Sequence, residues 1–308
     1  MRYLAFDIGG TAIKHAVVDD RYRLRAQGEF PTASVRTPDE LVAALGAVYD
    51  RHAAEVAGVA ISTAGETDPA TGLMFNGGAL RFTRGLEMRS AVAARCPTRV
   101  TVENDANCAL LAEVGDGVLT GCRNALALIV GTALGGAVLV DGRLHHGTHF
   151  YAGSFSLLMR TIEEPFSAER IGGTLGVGAL TAAVAAATGR DPATVDGRVV
   201  FDLVEAGDAA ATAALDAYCA VLARLLFNAQ MLLDVEAVAV GGGISRRPAF
   251  VAALAAQAAA TFDAADTLVP VPRPAIRGCR HSADANLVGA VVHHLGRERP
   301  PVSPGSRT

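Results

Sequence analysis

The sequence contains no tryptophan, only one lysine, and no cysteine pair or cluster. Its 308 residues include five scattered cysteines, and no C-x-x-C motif occurs among them. An odd, dispersed set of cysteines is typical of free thiols in a reducing compartment. The net charge is −4 and no basic patch stands out, which argues against nucleic acid as the main partner.

The uncharged run at 125–140 is too short to cross a membrane. The uncharged segment 125–140 contains three glycines, and it is shorter than the roughly 20 residues that a membrane helix needs. Two buried strands joined by a glycine turn explain this segment better. Asp7 stands where the apolar core of a signal peptide would lie, so we expect a cytoplasmic protein without membrane association.

Hydrophobic residues make up 51% of the chain and charged residues 19%, so core material is ample for one large domain or two of ordinary size. The pattern predicts three strands at 2–8, 12–19 and 23–30, followed by a helix that Thr37 caps. Strands then alternate with helices, and a β-β-β, α, β, α order recurs in the second half. This repetition predicts an α/β protein with two similar lobes.

The most informative local motif is the run Asp-Ile-Gly-Gly-Thr-Ala-Ile-Lys at residues 7–14. Adjacent glycines let the backbone approach a bulky anion and direct N–H groups at it. Thr11 can donate a hydroxyl hydrogen bond, and Asp7 can hold a divalent cation, most often through water. The run therefore indicates a phosphate-and-magnesium turn, although Gly-Gly between two strands is equally an ordinary hairpin turn.

Three further segments also end a predicted strand with glycine or a carboxylate, at 103–105, 131–136 and 241–245. Ligands bind at the carboxyl ends of strands in open α/β folds. Two threonine-bearing glycine turns, one in each lobe, could grip a polyphosphate, and the third glycine cluster could accommodate a base or ribose. Turn chemistry explains any one of these segments, but the four together favour a nucleotide site.

Asp105 lies where a predicted strand ends and a predicted helix begins. Asn104 or Asp105 can be the N-cap of that helix. Alternatively, Asp105 is a general base, because phosphoryl transfer to an alcohol needs a carboxylate that accepts the hydroxyl proton. Both interpretations are open from these residues alone.

Taken in order, these motifs resemble the ROK family of sugar kinases and sugar-responsive repressors. Five blocks carry the resemblance, which extends from about Leu4 to Leu295: Asp7–Thr11, Ser62–Gly65, Glu103–Asn107, Gly131–Gly136 and Gly241–Gly243. The resemblance implies a two-lobed actin-like ATPase (ribonuclease H-like) fold with a cleft between lobes 1–116 and 117–283. It also implies a homodimer and a C-terminal helix, 284–296, that packs back on the first lobe. The Pro- and Arg-rich tail, 297–308, is expected to be disordered.

By the same resemblance, the protein transfers phosphate from ATP to a sugar hydroxyl, with Asp105 as catalytic base and Asp7 holding Mg²⁺ through water. The implied ATP-binding residues are Asp7, Gly9, Gly10, Thr11, Lys14, Gly131, Thr132, Gly135, Gly241, Gly242 and Gly243. The implied sugar-binding residues are Asn76, Gly77, Asn104, Asp105, His149, Gly153 and Ser154.

One stretch departs from the family pattern. Most family kinases carry Ala-Gly-Glu-x-Gly-His, whose Glu and His touch the sugar near its anomeric carbon, and whose His also binds a structural zinc with three cysteines. Here Ser154 replaces the Glu, Leu157 replaces the His, and no cysteine lies between Cys122 and Cys219. We therefore expect no zinc, and a site similar to that of zinc-free β-glucoside kinases, which act on the 6-hydroxyl. A free hexose such as glucose or N-acetylmannosamine is the alternative acceptor, with His149 or Glu163 replacing the missing contacts.

Two other function classes compete with a kinase. A non-catalytic sugar sensor would explain the lost Glu and His, but it would not need Asp7, Asp105 and both glycine turns. An actin-like ATPase with a protein partner would need no sugar pocket. The three nearby histidines, His145, His146 and His149, have no paired carboxylate in the motif, and they are interpreted as loop residues that face solvent or ligand.

Overall fold

A computed structural model describes residues 1–158 and 175–296 of the chain. The expected disordered tail 297–308 and the alternative sugar contact Glu163 lie outside these residues. The strands are β1 (Arg2–Ile8), β2 (Ala12–Asp19), β3 (Leu24–Pro31), β4 (Val59–Thr63), β5 (Val100–Asn104), β6 (Ala125–Val130), β7 (Leu134–Val140), β8 (Arg143–Leu144), β9 (Ala237–Gly241) and β10 (Ala275–Gly278). The helices are α1 (Pro38–His52), α2 (Met88–Arg95), α3 (Asp105–Asp116), α4 (Val177–Thr188), α5 (Gly197–Glu205), α6 (Ala209–Leu233), α7 (Pro248–Asp266) and α8 (Ala285–His294).

The two sheets among these residues have equivalent strand orders. The first runs β3-β2-β1-β4-β5, and the second, read in the same direction, runs β8-β7-β6-β9-β10. In each sheet an antiparallel hairpin, β1–β2 or β6–β7, is followed by parallel pairing with later strands. The repeated pattern predicted from the sequence is thus present as a repeated sheet topology.

Strand β1 of the first sheet is buried on both faces, because its side chains alternate between two apolar clusters. Leu4, Phe6 and Ile8 pack on one face with buried residues of α1 and α2, including Leu41 and Met88. Successive side chains of a strand point to opposite faces. The other face of β1 therefore packs against α3 and α8, through the residues Tyr3, Ala5, Cys108, Leu287, Ala290 and Val291.

The second sheet shares one core with helices α4 to α7. Leu126 and Leu128 of β6 pack in this core together with Phe201, Leu222 and Phe250. Two of the helices, α6 and α7, are long and apolar enough to cross a membrane by length and composition alone. Both helices contribute buried residues to this core, among them Leu222 of α6 and Phe250 of α7.

The chain divides into two compact units. The first comprises residues 1–120, 142–152 and the segment from Ala283 onward, and the second comprises residues 121–141 and 153–282. In the first unit the final helix, α8, packs on α3. The expected lobes, 1–116 and 117–283, remain a prediction about domain organisation. The two units have different bounds from these lobes.

Local chemistry explains where the predicted elements begin. The Thr37 hydroxyl accepts a hydrogen bond from the backbone N–H of Glu40 at 3.2 Å, which caps α1 as its sequence predicts. Helix α2 begins at Met88, because the two residues Gly85 and Leu86 bond to Met74 and Thr83 in turns. The short strands β8 and β10 have two and four residues, too few to give a readable alternation.

Candidate active site

Three polar residues of the first unit share a row across its parallel strands. Asp7 of β1 is in register with Ser62 of β4, and Ser62 is in register with Glu103 of β5. This row lies one residue before the carboxyl ends of β1, β4 and β5, the sheet edge where α/β proteins bind ligands. The strand register therefore brings Asp7 and the 103–105 segment to one edge, as their positions at strand ends predict.

Asp7 is a largely buried carboxylate held by two donors. Asn286 of α8 donates from Nδ2 to Asp7 Oδ1 at 3.0 Å, and the Ser62 hydroxyl lies 3.5 Å from the same oxygen. Burial raises the pKa of Asp7, against the lowering effects of the Asn286 hydrogen bond and of the nearby Lys14 charge. Lys14 is its direct cross-strand partner in β2, so the only lysine of the chain stands beside the candidate magnesium ligand.

The structure resolves which residue caps α3. Asn104 is the N-cap, and its Oδ1 accepts hydrogen bonds from the backbone N–H groups of Ala106 at 2.9 Å and Asn107 at 3.2 Å. Its Nδ2 donates to the Gly65 carbonyl at 3.1 Å. An amide nitrogen has two hydrogens, so one N–H of Asn104 is left for a ligand even though the residue caps the helix.

Asp105, the first residue of α3, is therefore not required as the cap. One of its carboxylate oxygens accepts from the Ala106 N–H at 2.8 Å. Burial and the negative charge of Asp7 raise its pKa to about 6, against the lowering effect of these helix-start hydrogen bonds. A general base is most effective when its pKa lies near the working pH, and the raised pKa of Asp105 shifts this carboxyl in that direction.

Glu103, two residues before Asp105, is completely buried and fully hydrogen-bonded. Its Oε1 accepts from the Asn104 N–H at 2.7 Å and from Asn107 Nδ2 at 2.9 Å, and its Oε2 lies 2.8 Å from Nε2 of His146. Burial alone would raise the pKa of Glu103, but the hydrogen bond and charge of His146 hold it below its ordinary value. His146 thus contacts a buried carboxylate, a role that the interpretation of the three histidines as loop residues missed.

The Asn76–Gly77 loop lies beside this segment. Asn76 bonds through Nδ2 to Glu66, and its Oδ1 accepts from the Gly78 N–H at 3.0 Å. A side chain on Gly77 would clash with the Leu80 carbonyl oxygen, so glycine is required there by the turn itself. Asn76 lies close to the Gly65 carbonyl that Asn104 contacts, because a Cβ on Gly65 would meet Asn76.

The glycine turn at residues 9–11 joins β1 to β2 as a hairpin. The Gly9 N–H bonds to the Ala12 carbonyl at 3.2 Å, and the Gly9 carbonyl accepts from the Thr32 hydroxyl at 2.7 Å. Gly10 and Thr11 are exposed. The hairpin and the phosphate interpretations are therefore compatible, since the turn closes through Gly9 and leaves its tip open to solvent.

The equivalent turn of the second unit, between β6 and β7, lies against a helix N-terminus. The Gly131 N–H bonds to the Ala133 carbonyl at 3.0 Å, while the Gly131 carbonyl accepts from Val177, the first residue of α4, at 2.9 Å. Thr132 at the tip is exposed. Helix N-termini favour anions through their free N–H groups and dipole, so this turn and α4 together form a suitable phosphate site.

The Gly241–Gly243 cluster reaches the same edge of the second sheet. Gly241 of β9 is in register with Ile129 of β6, which places Gly242 beside the end of β6. Gly242 has a φ of 93°, and a side chain there would clash with the Val130 carbonyl. Gly243 is exposed, with no atom within 4 Å of a Cβ position. Gly242 is thus a backbone requirement, and Gly243 leaves room for a ligand.

The remaining predicted sugar contacts divide between the two units. His149 is an exposed residue of the first unit. Gly153 and Ser154 belong to the second unit, where Gly153 has a φ of 84° and Ser154 precedes a short 3-10 helix at Phe155–Leu157. Gly135 is partly exposed in β7, whereas its neighbour Gly136 packs against Phe155.

Sequence reasoning missed the residues that support the site from a distance. Ser62 belonged to a recognised block but had been given no role. Asn286 carries no local signal, because only the return of α8 to the first sheet brings it to Asp7. The Glu103–His146 contact joins positions 43 apart. The only sequence signal for a role of Glu103 is its position next to Asn104 and Asp105.

A family model described as "ROK family" matches residues 3–294, so the chain belongs to the ROK family. The β-glucoside kinase of Klebsiella pneumoniae is 33% identical over 305 residues, covering 95% of this chain and 96% of the relative. The β-glucoside kinase of Listeria monocytogenes is 32% identical over 302 residues, covering 97% and 99%. A ROK family protein of Streptococcus pneumoniae, solved in complex with sucrose, is 29% identical with a TM-score of 0.82, covering 97% and 99%. These matches confirm the predicted α/β, actin-like ATPase fold.

Proposed function

We propose that this protein is a cytoplasmic, Mg²⁺-dependent kinase that transfers the γ-phosphoryl group of ATP to a sugar hydroxyl. The observation that carries the proposal is Asp105, a carboxyl at the start of α3 whose pKa is raised to about 6 by burial and by Asp7. Membership of the ROK family and the names of the relatives support the same activity.

In this mechanism the chain's own residues position the sugar and move one proton. Asn76 and the remaining N–H of Asn104 orient sugar hydroxyls beside Asp105. The acceptor hydroxyl transfers its proton to the Asp105 carboxylate while its oxygen forms the bond to the γ-phosphorus and the bond to the leaving ADP oxygen breaks. Backbone N–H groups of the 9–11 turn stabilise negative charge on the phosphates. In the second unit, taken by itself, the 131–133 turn and the α4 N-terminus favour anions in the same way.

The residues around Asp7 fit a magnesium ion held mostly by water and substrate phosphates. Mg²⁺ prefers oxygen ligands and commonly uses one or two carboxylates in kinases. Asp7 supplies one carboxylate, and Asn286 and Ser62 both contact its Oδ1 rather than its Oδ2. A bound ion would neutralise charge on the phosphates at this edge.

The proposed acceptor is a sugar whose anomeric oxygen carries a substituent, with phosphate passing to the 6-hydroxyl. Ser154 and Leu157 offer an anomeric hydroxyl fewer strong hydrogen bonds than the carboxylate and imidazole of the family pattern. A substituent there leaves no buried polar group of the protein unpaired. The β-glucoside kinase names of two relatives favour this acceptor over a free hexose.

ADP release measured with and without a panel of sugars tests the activity and separates the alternatives. A kinase releases ADP only with its sugar, a sensor binds sugar without release, and an ATPase with a protein partner releases ADP regardless of sugar. Comparing kcat/KM for cellobiose and methyl β-glucoside with that for glucose and N-acetylmannosamine then tests the acceptor. A preference for the free sugars above about tenfold, or about 1.4 kcal/mol, would contradict it. The expected homodimer is checked by sedimentation.

A further inference from the structure

Two aromatic side chains of the first unit form a stacked pair that the proposed reaction does not use. The rings of Phe75 and Phe150 lie with centroids 5.4 Å apart and planes 17° from parallel. Phe75 is 38% exposed, and Phe150 is partly exposed. Large aromatic residues are normally buried, so an exposed stacked pair needs an explanation other than core packing.

The pair is tied to the candidate catalytic segment from two sides. On one side, the Phe75 N–H bonds to the Glu66 carbonyl at 2.9 Å, next to Gly65, whose carbonyl accepts from Asn104 at 3.1 Å. On the other, Phe150 makes an edge contact with the His146 ring, with centroids 6.4 Å apart. His146 in turn bonds to Glu103 at 2.8 Å.

The two sets of contacts therefore connect the aromatic pair to both Glu103 and Asn104. The backbone of Phe150 is strained, since its φ is 64°. Left-handed backbone at a bulky side chain is unfavourable and persists where surrounding contacts enforce it. The chain thus fixes the Phe150 ring on Phe75 at an energetic cost, close to the residues proposed to bind sugar.

The surroundings of the pair match the surface of a sugar ring. A β-glucoside presents axial C–H groups on its faces and hydroxyls around its rim. The faces of phenyl rings carry negative charge density that attracts C–H groups, and Phe75 is 38% exposed where it stacks on Phe150. The pair has polar neighbours, because Asn76 follows Phe75 in the chain and the His146 ring contacts Phe150. An acyl chain would gain nothing from those polar groups.

We propose that Phe75 and Phe150 form an aromatic platform that binds the group attached to the anomeric oxygen of a β-glucoside, either a second sugar ring or an aryl group. The platform rests on the proposed function for its substrate class, and it assigns glycoside specificity to residues outside the Ser154–Leu157 stretch. His146 and Glu103 act as positioning residues, because they hold the segment that carries Phe150.

Binding of phenyl β-D-glucoside and of glucose to the full-length protein tests the platform by calorimetry, apart from turnover. Phe75→Ala is expected to weaken phenyl glucoside binding by about fivefold to tenfold, the effect of one aromatic stacking contact. The same variant should change glucose binding by less than about twofold. Phe75→Tyr keeps the ring and should bind as the wild type does. Tyr151→Ala removes an exposed aromatic side chain of the same segment outside the pair, and it serves as the matched control.

Thermal unfolding of each variant identifies a folding defect. If Phe75→Ala is defective, Phe75→Leu keeps the apolar volume without a π face, and its binding of phenyl glucoside and of glucose is compared instead. Equal losses for both ligands, no loss for either, or a wild type that does not bind phenyl glucoside would each overturn the platform. Selective loss of glycoside binding in a protein that shows no ADP release would support the platform and refute the kinase function, so the two failures are distinguishable.

Discussion

Asn286, near the start of the last helix, donates a hydrogen bond to Asp7 on the first strand at 3.0 Å, across a sequence separation of 279 residues. The bond opposes the effect of burial, which raises the pKa of Asp7. It also fixes which carboxylate oxygen faces the donors. The last helix therefore helps keep the candidate magnesium ligand ionised and oriented.

Asn286→Ala is expected to lower kcat/KM for ATP by about 10-fold to 150-fold, because a hydrogen bond to a charged group contributes about 1.5–3 kcal/mol. Steady-state kinetics at varied Mg²⁺ measures the effect, which should be partly recovered at high Mg²⁺. Ser62→Ala is the matched control: its hydroxyl lies 3.5 Å from the same oxygen, so its loss should matter less. A larger effect for Ser62→Ala would contradict the assigned importance of Asn286.

Asp105→Asn retains the shape of the side chain and removes the base. Turnover is expected to fall by roughly 10²–10⁴-fold, the usual contribution of general base catalysis, while sugar binding is largely kept. Rapid-quench kinetics and calorimetry measure the two quantities separately. Asp39→Asn, which changes an exposed carboxylate in the first turn of α1, should retain full turnover. Near-normal turnover of Asp105→Asn would refute its role as base.

The pH dependence of activity should follow the Asp105 carboxyl. Its pKa is raised to about 6, and only the deprotonated form accepts a proton. We therefore expect kcat/KM to decline below about pH 6, with the midpoint moving lower once Mg²⁺ and ATP are bound, since a cation favours the carboxylate. The same decline in the residual activity of Asp105→Asn would assign it to another group.

The raised pKa of Asp105 also predicts how stability changes with pH. The direction of this change is opposite to that expected for a salt-bridged carboxylate. The folded-state pKa lies above the ordinary value of 3.8, so the folded protein binds more protons than the unfolded chain between about pH 4 and 6. The contribution of Asp105 to the free energy of unfolding therefore falls as pH rises through this window. The Tm of Asp105→Asn should exceed that of the wild type at pH 7 and approach it near pH 4. A Tm difference that does not vary with pH would contradict the shift.

Structural zinc is expected to be absent. Tetrahedral zinc sites use closely spaced Cys and His ligands, and among residues 1–158 and 175–296 no group of three metal-binding side chains is found. Elemental analysis of protein purified without chelator should give well below one zinc per chain, and EDTA should leave the Tm unchanged. One zinc per chain, with unfolding on chelation, would disprove this prediction.

The fold was readable from the sequence where local chemistry determines structure. The Thr37 cap, the Gly9–Gly10 turn and the alternating residues of β1 each predict their element from neighbouring residues alone. The two-residue strand β8 and the four-residue strand β10 depend on pairing with distant strands. No local pattern could have revealed them.

The site followed the same division. Asp7, Asp105 and the glycine turns were found because each combines a strand end with a reactive group or a flexible turn. Asn286 and His146 were missed because their roles arise from tertiary contacts 279 and 43 residues away. The candidate chemical residues were thus more visible in the sequence than the residues that contact them.

The first unit draws on three separated stretches, ending with the segment from Ala283 onward. Asp7 is synthesised 279 residues before Asn286, and the whole second unit is synthesised between them. A chain truncated before α8 lacks Asn286 and exposes the apolar face of β1 that Leu287 and Val291 cover. The first unit, with its candidate catalytic segment, therefore cannot be completed until the second unit has been made.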